Sequence, residues 1–479
     1  MRKSLPGNLL EGRMEFAVFG LGDSSYPKFN YAAKKLYKRL LSLGATPLPL
    51  ARGDGDHQHY LGLDGALSPW LESFQAILLK KYPLPDGMEL NLQDLPEPTF
   101  RFDFLKNADT LQETAEVLEN TATRAASSLS TCVKVLRNER ITPETHFQDV
   151  RLVEFSSSTT LNYAPGDVMM LKPENLPDPV DDAVRFFGWQ DFADTPFEIT
   201  SRQPDIPVPH HLRKVWTIRR LLKQRLDLFG RPRRYLFELL QHFASVPEHM
   251  EKLSEFASSS GQDELYNYAY KCRRTTFEVF QDFHSAKEFP VEYILDMIPE
   301  IRPRSFSIAS FSPPEGTNNL QLLVAIVKYK TSLSAPRFGV CTRWITSLCP
   351  GNRVEYDIKP GSFALPESAS RDSQPVILIG PGTGIAPLRA ILGYRASHFS
   401  RLGEKPTEKE LVFFGSRNQD ADFFFQEDFL RYEMDGYCKL VTAFSRDQGE
   451  KIYVQHRIRE YAAEVWRLVD KGAIIYLSG

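Results

Sequence analysis

Hydrophobic positions along this chain change rhythm several times, and each change predicts a different kind of element. From Met14 to Gly20 (MEFAVFG) a short apolar run reads as a strand. The polar stretch LGDSSYPKFN then reads as a loop entering a helix, whose apolar positions Leu36, Leu40, Leu41 and Leu43 keep helical spacing. ATPLPLARG predicts a second strand, with the acidic GDGDH as a loop at its carboxyl end, and Leu67 to Leu79 predicts an amphipathic helix. Alternation of strand and helix over residues 1–83 implies an open α/β sheet, with its ligand loops outside the strand ends. From Tyr82 to Thr131 the chain is punctuated by proline and then polar, which predicts a mobile or weakly helical linker over 84–130.

Period-two alternation follows. VKVLRNERIT, HFQDVRLVEF and GDVMMLKPEN, and later RSFSIAS, LQLLVAIVKYK and NRVEYDIKPGSF, predict an antiparallel barrel over 131–365. Within it, over about 180–299, helical spacing takes over (TIRRLLKQRLDL, RYLFELLQHFA, HMEKLSEFASS, DELYNYAYKCRRTTFEVFQDF), so a helical insertion interrupts the barrel. Residues 366–479 alternate apolar strands with helices, the rhythm of a parallel nucleotide-binding sheet.

Composition narrows the partners. The chain has 479 residues, 42% hydrophobic, with 58 Lys and Arg against 61 Asp and Glu. That balance points to neither a nucleic-acid nor a membrane-surface binder. Five widely spaced cysteines without a CxxC suggest no disulfide framework or zinc site, and fit a reducing compartment. The first residues lack the apolar core of a secretory signal, and no run of about 18 apolar residues occurs, so a soluble protein is expected.

Candidate chemistry gathers at four places. In PVILIGPGTGIAPLR, Gly380, Gly382 and Gly384 let the backbone turn sharply before a helix, aiming N–H groups and the helix dipole at a phosphate. Alone, that run also fits an ordinary tight turn. RPRSFSIAS offers a cation for a pyrophosphate (Arg304), a planar ring to stack on a flavin (Phe306) and a hydroxyl near the ring (Ser307). An extended backbone there puts Arg304, Phe306 and Ile308 on one face and Ser305, Ser307 and Ala309 on the other. In GVCTRW a glycine opens a helix towards the same diphosphate. Ser445, Arg446, Lys451, Tyr453 and Gln455 fall close together, and two cations, a hydroxyl and a ring suit a 2′-phosphate, favouring NADPH over NADH. Asp447 either opposes that reading or caps a helix. Arg304 and the glycine turn are expected to open on a shared cleft. Tyr26, Phe29 and Trp70 offer walls for a second flavin, or simply pack on their own helices. His57 and His59 with Asp54 and Asp56 read as a solvated loop, and no metal is expected.

These motifs resemble those of a known family. GLGDSSYPKFN is similar to the flavin-contacting loop of the FMN-binding, flavodoxin-like module of diflavin reductases. RSFSIAS and GVCT resemble the RxYSxxS and Gly-Val-Ala/Cys-Thr/Ser motifs of the ferredoxin–NADP reductase superfamily, and the helical insertion resembles the mark of its diflavin branch. AFSRD and KIYVQH resemble its NADPH-selecting motif. IRPRSFSIAS, YVQHRIRE and FGLGDSSY resemble most the branch that serves cytosolic iron–sulfur assembly. The fold implied is α/β plus β-barrel: a partial flavodoxin-like module, an FAD-binding antiparallel barrel with helical insertion, and a ferredoxin–NADP reductase-like NADP-binding domain.

The resemblance also implies site residues. Leu21, Gly22, Asp23, Ser24, Ser25, Tyr26, Pro27, Lys28, Phe29, Asn30 and Asp56 would border FMN. Arg273, Arg304, Ser305, Phe306 and Ser307 would meet FAD, with Gly339, Val340, Cys341 and Thr342 on its phosphates. Gly382, Thr383, Gly384 and Arg417 would hold the NADPH pyrophosphate, and Ser445, Arg446, Lys451, Ile452, Tyr453, Val454 and Gln455 its 2′-phosphate end. Ser307 and Ser478 would lie at the reacting rings. Electrons would pass from NADPH to FAD to FMN and then to a one-electron acceptor protein, anamorsin, in the cytoplasm. Departures from the pattern are Phe306 in place of Tyr, and Ser416 and Ser478 in place of Cys. The family's first strand and phosphate loop would precede residue 1, so little FMN is expected. Its last helix, late acidic residue and terminal aromatic would follow Gly479, so weakened hydride transfer is expected. Alternative readings are a sulfite- or methionine-synthase-type reductase flavoprotein, or a non-catalytic module that docks an acceptor.

Overall fold

A computed structural model describes residues 5–61, 63–85, 87, 94–105, 131–313, 315–333, 335–363 and 374–479. The first portion pairs Glu15–Phe16 with Thr46–Pro47 and Phe19–Gly22 with Gly53–Asp56, both in parallel. Helices Tyr31–Ser42 and Asp64–Lys81 complete it around a small core of Phe16, Val18 and Ala45. Here the acidic GDGD is itself a strand rather than a loop, and Leu21 and Gly22 end the neighbouring strand rather than begin a loop. Glycine makes this possible. A Cβ on Gly53 would sit 2.1 Å from the ring of Phe19, so only a bare backbone can lie alongside that ring.

Six antiparallel strands form the next sheet, in the spatial order Arg304–Ser307, Val168–Leu171, Arg353–Lys359, Thr131–Arg140, Val150–Leu161, Thr317–Ala325. Its inner face packs Val133, Val135, Phe155, Met169, Leu171, Leu322 and Val354. The expected barrel is not closed by a ladder. Its two end strands meet only at a bridge between Ile308 and Leu322, where Ala309 N–H also donates to the Gln321 carbonyl at 2.8 Å. The strand at Arg304 is four residues long, too short to zip the seam.

Between Leu171 and Arg304 the chain builds the helical insertion, around a large aromatic core that includes Trp216, Phe237 and Phe280. A strand of the insertion, Phe197–Ser201, pairs antiparallel with Phe100–Phe104. The stretch expected to be a linker therefore contributes a structural strand, and Phe102 stacks on Phe197 with centroids 4.3 Å apart. The alternating FRFDF offers one aromatic face, which the insertion buries. Residues 106–130 of that linker lie outside the described residues.

The last portion is a parallel sheet in the order Cys438–Phe444, Glu410–Ser416, Val376–Pro381, Ile474–Leu477. It shares one core cluster with the six-stranded sheet, since Val150, Ala309 and Leu323 pack with Val376, Leu388 and Phe414. The two sheets are thus welded together. Among the described residues no helix is long and apolar enough to cross a membrane.

Candidate functional site

A cleft of about 1080 Å³ opens where the helical insertion, the six-stranded sheet and the first portion meet. Seven arginines line it, Arg231, Arg233, Arg273, Arg302, Arg304, Arg337 and Arg343, against five carboxylates, Asp64, Glu174, Asp227, Glu278 and Glu300. The excess of cations suits an anionic ligand, and guanidinium forks suit phosphate oxygens. Arg337 is the clearest case. It is 8% exposed and pairs one nitrogen with Glu278 at 2.7 Å, while its Nε and Nη2 are buried without a partner among the described residues. Buried guanidinium donors left unmatched cost free energy unless a ligand accepts from them. Burial raises the Asp227 carboxyl above its usual range, with the charge of Arg304 pulling it back.

Of the residues expected at FAD, Arg273, Arg304 and Val340 line this cleft. Arg273 stands at φ 57°, a left-handed backbone that turns its side chain out of the helical run. The others do not line it. Cys341 is in the sheet's core, where burial pushes its thiol up to about 12, so it offers a phosphate only its backbone N–H. Thr342 Oγ1 is occupied by the Val327 N–H at 3.1 Å and the Gly339 carbonyl. Helix Val340–Ser347 begins at Gly339, so its first-turn N–H groups still lack intrahelical acceptors. Ser305 donates to the Met170 sulfur at 2.8 Å, and Phe306 packs on the sheet core. Ser307 is half-buried at the end of the strand. Sequence reasoning missed Arg231, Arg233, Arg302, Arg337 and Arg343, together with the cleft aromatics Tyr270, Tyr329 and Phe338. The run FGRPRRY, dense in arginine at a proline turn, was the available signal for the first two.

The glycine turn does not line this cleft, contrary to the expectation of a shared one. Instead the helix after it reaches the backbone just beyond the Arg304–Ser307 strand. Arg389, in the helix Ile385–Leu402 after the turn, donates to the Ala309 carbonyl at 3.0 Å and to Gln321 at 2.8 Å. Gly382 has φ 57° with open space around it, and Thr383 is half-buried beside it. A Cβ on Gly384 would lie 2.0 Å from the Ser478 carbonyl oxygen, so this glycine lets the last strand end against the turn.

At the neighbouring strand ends the Ser416 hydroxyl is buried without a partner among the described residues, and the Arg417 guanidinium lies over Phe147 with 3.3 Å to the ring centroid. Ser445 is buried and donates to the Ser416 carbonyl, whereas Arg446, Lys451, Tyr453 and Gln455 are exposed. Ile452 and Val454 face the core instead, as alternation along an extended segment requires. Asp447 accepts from Asn418 and from the Gln419 N–H, capping the helix Gln419–Asp422 rather than contesting the phosphate mouth.

In the first portion, Asp23 accepts from Ser25 and Gln58, and Asp56 from the N–H groups of Ser24 and Gln58. Those bonds, the Ser25 and Ser24 ones foremost, hold both carboxyls below the usual range. Tyr26 is 67% exposed between them, with Pro27 and Lys28 also exposed. Phe29 carries Lys34 over its ring. Asn30 is internal: its amide donates to the Gly55 carbonyl at 3.2 Å, locking the helix start to a strand rather than facing a ligand.

Comparison with known proteins follows the same division. Residues 6–70 match the flavodoxin family, 125–344 the FAD binding domain and 378–479 the oxidoreductase NAD-binding domain. Together they define a class, reductases that combine flavin and nicotinamide modules in one chain. Proteins named NADPH-dependent diflavin oxidoreductase 1 match over the whole chain: 41% identical from Mus musculus and 40% from Xenopus laevis, each covered over 79% of its length, and 37% from Emericella nidulans, covered over 78%. The chain belongs to the NADPH-dependent diflavin oxidoreductase family.

Proposed function

We propose that this flavoprotein oxidoreductase takes reducing equivalents from NADPH and delivers them singly to an acceptor protein, the iron–sulfur protein anamorsin of cytosolic iron–sulfur assembly. What carries the reading is the arginine cleft, with two buried, unmatched donors on Arg337. When bound, NADPH, FAD and FMN supply the hydride and single-electron chemistry.

The chain's own residues bind and orient. Arg273, Arg304, Arg337 and Arg343, with the first-turn N–H groups of Val340, Cys341 and Thr342, hold the FAD diphosphate. Ser307, three residues along from Arg304, would offer its hydroxyl to the flavin ring. Gly382, Thr383 and Gly384 with Arg417 receive the pyrophosphate of NADPH. Ser445, Arg446, Lys451, Tyr453 and Gln455 grip the 2′-phosphate, and Ser478 lies beside the turn. Tyr26 and the loop around Asp23 and Asp56 border FMN. Two ionised carboxyls there suit the neutral ring end rather than the phosphate.

The test has two arms. NADPH with ferricyanide measures the reductase, and anaerobic mixing of the NADPH-reduced chain with anamorsin, read as bleaching of the iron–sulfur absorbance, measures the partner. Both should respond. Ferricyanide reduction without anamorsin bleaching would discard the partner and keep the enzyme; no ferricyanide reduction would discard both.

A further inference from the structure

The loop between Thr131–Arg140 and Val150–Leu161 belongs to the six-stranded sheet, yet it reaches across to the parallel sheet. It is stiffly built. Arg140 donates to the carbonyls of Thr142 at 3.0 Å, Pro143 at 2.8 Å and His146 at 3.3 Å, and Thr142 Oγ1 donates to the Gln148 carbonyl at 2.9 Å. Two consecutive residues at its tip engage one turn of the other domain. His146 Nε2 lies 3.6 Å from the buried Asp422 carboxylate, whose oxygens accept the N–H groups of Arg417 at 3.0 Å and Asn418 at 2.7 Å. The Arg417 guanidinium carbon stands over the Phe147 ring, 3.3 Å from the ring centroid, although the ring is 60% exposed and no part of the core. The Arg417 backbone is thus held by Asp422 of its own sheet, with His146 behind that carboxylate, while the Arg417 side chain is met by Phe147 from the neighbouring sheet; its guanidinium N–H groups make no hydrogen bond among the described residues.

We propose that Phe147 is a positioning residue for the nicotinamide nucleotide: its ring holds the Arg417 guanidinium extended, edge outward, so that the pyrophosphate meets a preformed fork. A guanidinium stacked on one face keeps its in-plane donors free, and a long side chain already ordered loses less entropy on binding. The inference rests on the reading of Arg417 as a pyrophosphate contact.

NADP⁺ binding to the FAD-loaded chain, measured by calorimetry, tests it alongside NADPH steady-state kinetics. Phe147→Ala should weaken NADP⁺ about two- to fivefold and raise KM by a like factor with kcat unchanged. Phe147→Tyr should restore binding and Phe147→Leu should not, because leucine keeps apolar cover but has no π face. In an Arg417→Ala background Phe147→Ala should have no further effect. An undiminished effect in that background, or rescue by leucine, overturns the proposal. If Arg417→Ala weakens NADP⁺ while Phe147→Ala is silent, the proposal alone falls. If Arg417→Ala itself leaves NADP⁺ binding unchanged, the nucleotide reading of that arginine falls and takes the proposal with it.

Discussion

Arg304 and Arg337 illustrate how differently two arginines of one cleft can be read. Arg304 stands in RPRSFSIAS, where a cation, a ring and a hydroxyl in one strand announce it. Arg337 stands just before GVCT, whose glycine and helix start are the plainer signal, and burial with unmatched nitrogens among the described residues gives the arginine away. Burial is a property of the whole fold, so no local pattern could have shown it. Because the side-chain hydrogen bond of Arg304 is local, to the Arg302 carbonyl, and its charge also faces the Asp227 carboxyl, Arg304→Ala should weaken FAD about 10- to 100-fold, the worth of a charged hydrogen bond, with a smaller loss of stability; titration of the apoprotein with FAD measures the first and urea unfolding the second. Ser305→Ala, whose hydroxyl meets Met170, should bind FAD as the parent does. Away from the cleft, Lys214 shares the ring of Trp216 with Arg220 and Arg225. Burial foremost, then repulsion by those arginines, pulls its pKa down to about 8. The unfolded lysine therefore holds a proton between pH 8 and about 10.5 that the folded one has released. Stability should rise through that window and level off above it, and urea unfolding of Lys214→Met should lack that rise.

The element that organises the nucleotide end is the strand, glycine turn and helix from Val376 to Leu402. It was legible because an apolar run, spaced glycines and an apolar helix all agree. Gly384→Ala should show why the third glycine is there. Its Cβ would strike the Ser478 backbone, which cannot rotate away as a side chain could, so the last strand must shift at a cost of about 1–3 kcal/mol. NADP⁺ binding should fall sharply while the FAD spectrum persists, and calorimetry beside absorbance separates the two. Less legible was GDGD, which reads as a turn because glycine and aspartate dominate turns. Its strand exists because the ring of Phe19 covers the glycines, a tertiary effect that propensity does not contain. The strand at Phe100 was hidden in the same way, since FRFDF lies among prolines and polar residues and declares itself only against its partner across the insertion.

Across the molecule, the first portion is held to the helical insertion by a few contacts. Arg234 donates to Ser68 at 2.6 Å, Gln262 reaches the Asp64 carbonyl at 3.5 Å, and Tyr60 meets Tyr266 edge-on at 6.0 Å. Interfaces that sparse and polar permit relative motion, so Arg234→Ala should enlarge the radius of gyration in X-ray scattering while leaving FAD content unchanged. The parallel sheet, sharing one core with its neighbour, should not separate so readily. A last consequence follows from the unzipped seam beside Arg304. A strand bonded on one flank and bare on the other invites another chain to add to it. A flavin lying along that strand would shield it from such pairing. Stripping the cofactor should then do more than silence the enzyme: it should make the apoprotein stick to itself, with light scattering climbing as flavin is removed and falling back when FAD is returned.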